Sequence, residues 1–159
     1  MLNNYKLLQE ISSGTFSSVY MCCNLKTNKN YAIKSDKTDL IKHEANIYNK
    51  LREIETIPKI YDFFCFENIY YLVLDLMSCS LIDYKNRNYN SERYTDKLVI
   101  IITQLLETIE KIHDKSILHR DLKPNNICFD KNQKLFVIDF GLSKQYIINN
   151  QHIENKKIN

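Results

Sequence analysis

At 159 residues, with 44% hydrophobic and 26% charged, the chain has room for one ordinary domain and a sizeable core. Its 22 basic and 19 acidic residues leave a net charge of +3, too mild a bias to argue for nucleic acid or an anionic membrane as partner. Two glycines and two prolines exclude collagen-like and Pro/Gly-rich disordered classes.

Residues 5–11 and 19–23 are β-favouring runs on either side of the small-residue turn Ser12-Ser13-Gly14-Thr15-Phe16-Ser17-Ser18. Residues 24–30 read as a polar turn and 31–35 as a short apolar strand. Over 39–52, Leu40, Ile41, Ile47 and Leu51 recur close to a helical period. Residues 60–66 and 69–77 read as two more strands around Glu67-Asn68. Residues 94–113 carry the strongest periodicity, with Leu98, Ile101, Ile102, Leu105, Ile109 and Ile112 on one helical stripe. Short strands follow near 127–129 and 135–138, and the polar tail 145–159 reads as loop. Five strands with one inserted helix, then a helix and short hairpin strands, predict an α+β chain: a small β-rich lobe followed by an α-rich lobe.

The five cysteines, Cys22, Cys23, Cys65, Cys79 and Cys128, are odd in number, irregular in spacing and free of any C-x-x-C pair. Zinc sites and disulfide frameworks need paired spacing, so these read as free, mostly buried thiols of a reducing compartment. The first ten residues lack the apolar run of a signal peptide. The longest apolar stretches, 70–77 and 98–106, fall far short of the ~20 residues that cross a bilayer. The expectation is a soluble intracellular protein, cytoplasmic or nuclear, with no membrane or nucleic-acid partner.

The most specific segment is His119-Arg120-Asp121-Leu122-Lys123-Pro124-Asn125-Asn126, followed thirteen residues later by Asp139-Phe140-Gly141. Order and spacing match the HRDLKxxN catalytic loop and the DFG motif, and the chain resembles a eukaryotic-type Ser/Thr protein kinase. Phosphoryl transfer needs phosphate, metal and acceptor hydroxyl held in line, with the developing charge neutralised. The resemblance implies that Asp121 accepts the hydrogen bond of the substrate hydroxyl and that Lys123 steadies the transferring phosphate. It implies that Asn126 and Asp139 supply oxygens to Mg²⁺, that Phe140 packs under the small-lobe helix, and that His119 is structural. Upstream, Tyr31-Ala32-Ile33-Lys34 resembles the VAIK strand, so Lys34 would hold the α- and β-phosphates with Glu44 as its ion-pair partner.

The loop over Ile11, Ser12, Ser13, Gly14, Thr15, Phe16, Ser17, Ser18 and Val19 resembles the phosphate-covering GxGxxGxV loop, with Ser12 and Ser17 in place of the outer glycines. Gly14 would permit close backbone approach and positive φ. Further patterns make the casein-kinase-I family the nearest resemblance. Residues 11–20 follow IGSGSFGxIY, 44–48 follow ESKIY, 57–60 follow GIPxI, 74–81 follow MELLGPSL and 139–146 follow DFGLAKKY. By that resemblance Leu74 is the gatekeeper, the backbone of Asp75 to Met77 bonds the adenine, and Ile11, Val19 and Ala32 sandwich its ring.

The implied fold is protein-kinase-like, with a β-rich N-lobe over 1–77 carrying one helix and an incomplete helical C-lobe over 78–159. A complete domain of this kind needs roughly 250 residues. The sequence stops 18 residues after Gly141, inside the activation segment, where 151–156 still resembles the family. The helix over 94–113 is therefore expected to expose an apolar patch, which a partner would cover. Two readings follow: an ATP- and Mg²⁺-dependent kinase acting on protein Ser/Thr hydroxyls, or a truncated kinase-like module that binds nucleotide or a partner without turnover.

Overall fold

The computed structural model describes residues 2–14, 17–148 and 151–153. Its first part is a five-stranded antiparallel sheet of Tyr5–Ser13 (β1), Ser17–Asn24 (β2), Lys29–Asp36 (β3), Ile60–Phe66 (β4) and Ile69–Leu74 (β5), in the order β1-β2-β3-β5-β4. The β4–β5 hairpin turns on Glu67 and Asn68, whose φ values of 50° and 60° are the positive pair that a two-residue primed turn requires. β1 shifts register against β2 between Leu7 and Gln9 and between Glu10 and Ser12. Such bulges bend and twist a strand, and these lead into the hairpin that covers the cleft.

The helix expected over 39–52 is α1, Leu40–Leu51, and it buries Ile41, Glu44, Ala45, Ile47, Tyr48 and Leu51. Strand alternation divides the sheet between two cores. In β5, Tyr71 and Val73 join Tyr5, Cys22 and Ile33 on one face, whereas Leu72 joins Ile41, Ala45 and Tyr48 on the other. That second core continues into the rest of the chain through Ile101, Ile112, Ile117, Phe129, Leu135 and Phe140.

The remaining elements are Cys79–Ser80 (β6), Leu81–Asn88 (α2), Tyr94–Asp114 (α3), Ile117–Leu118 (β7), a 3-10 turn Pro124–Asn126, Ile127–Phe129 (β8), Leu135–Val137 (β9), Lys144–Gln145 (β10), Ile147–Ile148 (β11) and Gln151–His152 (β12). Strands β6, β8 and β9 form one small sheet; β10 pairs with β7 and β11 with β12. On α3, Ile101, Thr108 and Ile112 are buried while Val99, Ile100, Ile102 and Leu106 are exposed, the apolar patch that was expected. Among the described residues no helix is long and apolar enough to cross a membrane.

Four expectations need correction. The strand over 69–77 ends at Leu74, because Asp75 turns aside: its carboxylate accepts hydrogen bonds from the Lys59 amide (2.8 Å) and the Tyr61 hydroxyl (2.7 Å). Helix α2 was not anticipated: none of its residues is fully buried and only Leu81 and Tyr84 pack against the core, too few to set a hydrophobic period. Its signature is the capping box, in which Ser80 Oγ accepts the Asp83 amide and Asp83 Oδ2 accepts the Ser80 amide. The tail read as loop holds two-residue strands, too short to carry a period. The cysteines are all free, but only Cys22 and Cys128 are buried; Cys23 and Cys79 are half-buried and Cys65 is exposed. Burial pushes the Cys22 thiol up to about 11 and the Cys128 thiol to about 12, so both are inert at neutral pH.

Candidate active site

Lys34 sits mid-strand in β3, paired with Val19 of β2 and Leu72 of β5. Its Nζ lies 2.7 Å from Glu44 Oε2 and 2.9 Å from Asp139 Oδ1. Residues far apart in sequence thus form one ion cluster, with the Glu44 side chain 2% exposed. Burial pushes the Glu44 carboxyl up, and the Lys34 ammonium offsets this only in part. Burial lowers the Lys34 pKa, but Glu44 and then Asp139 outweigh it and hold the amine protonated. A Cβ on Gly141 would stand 3.5 Å from Asp139 Oδ1 and 3.7 Å from Glu44 Oε2, so this backbone lies directly against the cluster.

Asp139 has φ of 66°, in the left-handed region that Asp tolerates better than most residues. Its amide donates to the Tyr48 hydroxyl of α1 at 3.0 Å. Phe140 is fully buried, 5.1 Å from the Tyr48 ring and 4.7 Å from the His119 ring, beneath α1 as expected. His119 Nδ1 accepts the Asp121 amide (3.2 Å), so its Nε2 carries the proton and donates to the Ile138 carbonyl (2.9 Å). Burial lowers its pKa and keeps the ring neutral, a structural rather than a basic group.

Arg120 also has a left-handed φ of 65°, and its Nε donates to the Leu142 carbonyl at 2.6 Å. Asp121 Oδ2 accepts from Lys123 Nζ (2.6 Å) and Asn126 Nδ2 (2.9 Å). The Lys123 contact holds the Asp121 carboxyl below the usual range. Asn126 Nδ2 also donates to the Asp121 carbonyl (2.9 Å), so its amide nitrogen is engaged and its Oδ1 is left as an acceptor.

These groups meet at a cleft of about 730 Å³. The β1–β2 hairpin contributes Ile11, Ser12, Ser13, Gly14, Ser17 and Val19; β3 contributes Ala32 and Lys34. Leu74, Asp75, Met77, Glu44, Lys123, Asn126 and Asp139 also line it. Asp121 joins it through its bonds to Lys123 and Asn126. Ser18 is not part of the lining; between Ser17 and Val19 it falls on the other face of β2, where its carbonyl accepts from Ser35 Oγ at 3.3 Å. Thr15 and Phe16 lie outside the described residues, as do 154–156 of the activation-segment resemblance. Gly14 does not use the positive φ expected of it, and a Cβ there would meet only the Ser17 carbonyl at an ordinary 3.5 Å. Sequence reasoning missed Cys79, Ser80, Ile82, Asp83, Asn125 and Ile138 as lining residues. The S-x-x-D capping box was the available signal for Ser80 and Asp83, which it binds together.

The donor set bears on the expected metal. Asn126 Oδ1 and Asp139 are oxygen donors among the residues that line the cleft. That suits Mg²⁺, which takes one or two protein oxygens and completes its shell with phosphate and water.

The family described as protein kinase domain matches residues 5–157. Two probable casein kinase I homologs of Encephalitozoon cuniculi (strain GB-M1) are each 34% identical to this chain, over 151 and 154 residues, covering 91% of it in both cases. The alignments cover 47% and 50% of those proteins, so the chain spans about half the length of the curated relatives it matches. The α+β fold, the ion cluster joining β3, α1 and the segment at Asp139, and a family match over almost the whole sequence agree: the chain belongs to the protein kinase family and is casein-kinase-I-like.

Proposed function

We propose that this chain transfers the γ-phosphate of ATP to Ser/Thr hydroxyls of protein substrates. The observation that carries the reading is the meeting, at one cleft, of the Lys34–Glu44–Asp139 cluster with the Asp121–Lys123–Asn126 network. In this reading residues 1–77 form the N-lobe that covers the nucleotide, and 78–159 carry the catalytic loop. Ile11, Val19 and Ala32 sandwich the adenine, and the backbone of Asp75 to Met77 hydrogen-bonds it. Lys34, kept charged by two carboxylates, holds the α- and β-phosphates. Gly14 lets backbone amides approach them. Asp121 orients the acceptor hydroxyl, and Lys123 neutralises charge that grows on the transferring group. Asn126 and Asp139 would hold Mg²⁺, whose chemistry there would be charge neutralisation.

The test is thermal unfolding of the purified chain with and without Mg²⁺–ATP. Ligand at about a hundred times its Kd adds roughly 2.7 kcal/mol to the folded state. A metal-dependent rise in Tm that disappears in Asp139→Ala is the expected result; no shift in the native chain refutes nucleotide binding. A second prediction concerns the hairpin. Ser12 and Ser17 line the cleft where the family pattern has glycines, and their side chains restrict the loop's freedom, so Ser12→Gly/Ser17→Gly tightens ATP binding severalfold. Unchanged affinity by titration calorimetry would remove that role.

The exposed apolar residues of α3 favour a second reading, a nucleotide- or partner-binding module without turnover. Bound to nucleotide it shares the Tm shift, and bound only to a partner it does not, but in either form it transfers no labelled phosphate to casein.

A further inference from the structure

Besides the Asp139–Tyr48 bond, helix α1 is anchored at two further points outside its own sheet. His43 Nε2 lies 2.9 Å from the Ser143 carbonyl oxygen, and Lys50 Nζ donates to Gln145 Oε1 at 2.7 Å. Seven residues separate the two, two helical turns, so they share one face of α1. Both partners belong to the segment after Gly141. The stem of the catalytic loop grips that segment from elsewhere: Arg120 Nε holds the Leu142 carbonyl, β10 pairs with β7, and the Tyr146 amide donates to the Ser116 carbonyl at 2.9 Å. Residues 142–146 are thus a strap joining α1 to the loop that bears Asp121. The strap is folded inward, since Ser143 is 3% exposed and its hydroxyl donates to the Phe140 carbonyl at 2.6 Å.

We propose that His43, assisted by Lys50, is a positioning residue that ties α1 to this strap and so keeps Glu44 on Lys34. His43 directly precedes Glu44, so a shift of α1 that breaks one contact displaces the other. Such a shift would also pull Glu44, whose side chain is 2% exposed, off Lys34. The His43 bond opposes this more than the Lys50 bond does. Losing it strips a donor from the backbone of buried Ser143, whereas Lys50 is exposed. The functional consequence rests on the reading of Lys34 as the phosphate-holding residue.

The test compares the wild-type chain with His43→Ala and His43→Gln, whose side-chain amide restores an N–H donor. Hydrogen–deuterium exchange is measured without ligand, and ATP and adenosine affinities are measured by calorimetry. In His43→Ala the α1 amides exchange about tenfold faster while those of β3 and β5 are unchanged, the latter reporting an intact sheet. ATP affinity falls about tenfold, adenosine affinity holds, and His43→Gln recovers both properties. A general folding defect would weaken both ligands alike. Unaltered α1 exchange in His43→Ala, or a Gln variant as defective as the Ala variant, overturns the proposal. If α1 exchange responds as stated but the wild type binds ATP no better than adenosine, the strap stands and the phosphate role of Lys34 falls.

Discussion

Asp121→Asn lowers phosphate transfer to a protein substrate by about a hundred- to ten-thousand-fold, the usual range for losing a positioned general base, and leaves the chain folded. The geometry gives the reason. Asp121 Oδ2 already accepts from Lys123 and Asn126. In the variant these two donors draw the Asn oxygen to that side, which turns the amide nitrogen to the position of Oδ1. A group that accepts is replaced by one that only donates, and a substrate hydroxyl can no longer give it a hydrogen bond. Stability is little affected: the Asp121–Lys123 pair is partly exposed, 26% and 50%, and such pairs contribute about 0–1 kcal/mol. Labelled-phosphate transfer, with an unfolding curve for the same sample, reads both quantities. Transfer at the native rate in the variant would show that Asp121 is not the group that orients the acceptor.

Phe140→Ala costs about 3–5 kcal/mol of stability, the range for emptying a fully buried aromatic site. Phe140 is 0% exposed and lies between Tyr48 of α1 and His119 of the catalytic loop. Its removal leaves a cavity where three parts of the chain meet, and marginal domains hold only about 5–15 kcal/mol in all. Urea unfolding should show a lower midpoint with an unchanged slope. Phe140→Leu should recover much of the loss. The cavity also loosens Asp139, whose amide is held by Tyr48, so nucleotide affinity falls with stability. A midpoint within the error of the native chain would mean that the neighbouring rings collapse to fill the space.

The candidate catalytic residues were legible because phosphoryl transfer needs a set of side-chain types in one order. Asp121, Lys123 and Asn126 lie within a single short stretch, where local spacing carries most of the geometry. The strands and α1 were legible for another reason: a half-buried element repeats its apolar residues near its own period, and of the four that marked α1, Ile41, Ile47 and Leu51 are buried while Leu40 is exposed. Where burial gives no period, the chain was silent, as in α2, which buries no residue fully, and in the two-residue ladders of the tail. The resemblance pointed to Glu44 as the partner of Lys34, but their contact spans a strand and a helix and depends on how α1 seats on the sheet. The same seat brings Asp139, 105 residues from Lys34, into the cluster, and lays His43 against Ser143. Hydrogen bonds of this kind reach only about 3 Å, so they form only after the hydrophobic core has set the distance between elements that local sequence leaves independent.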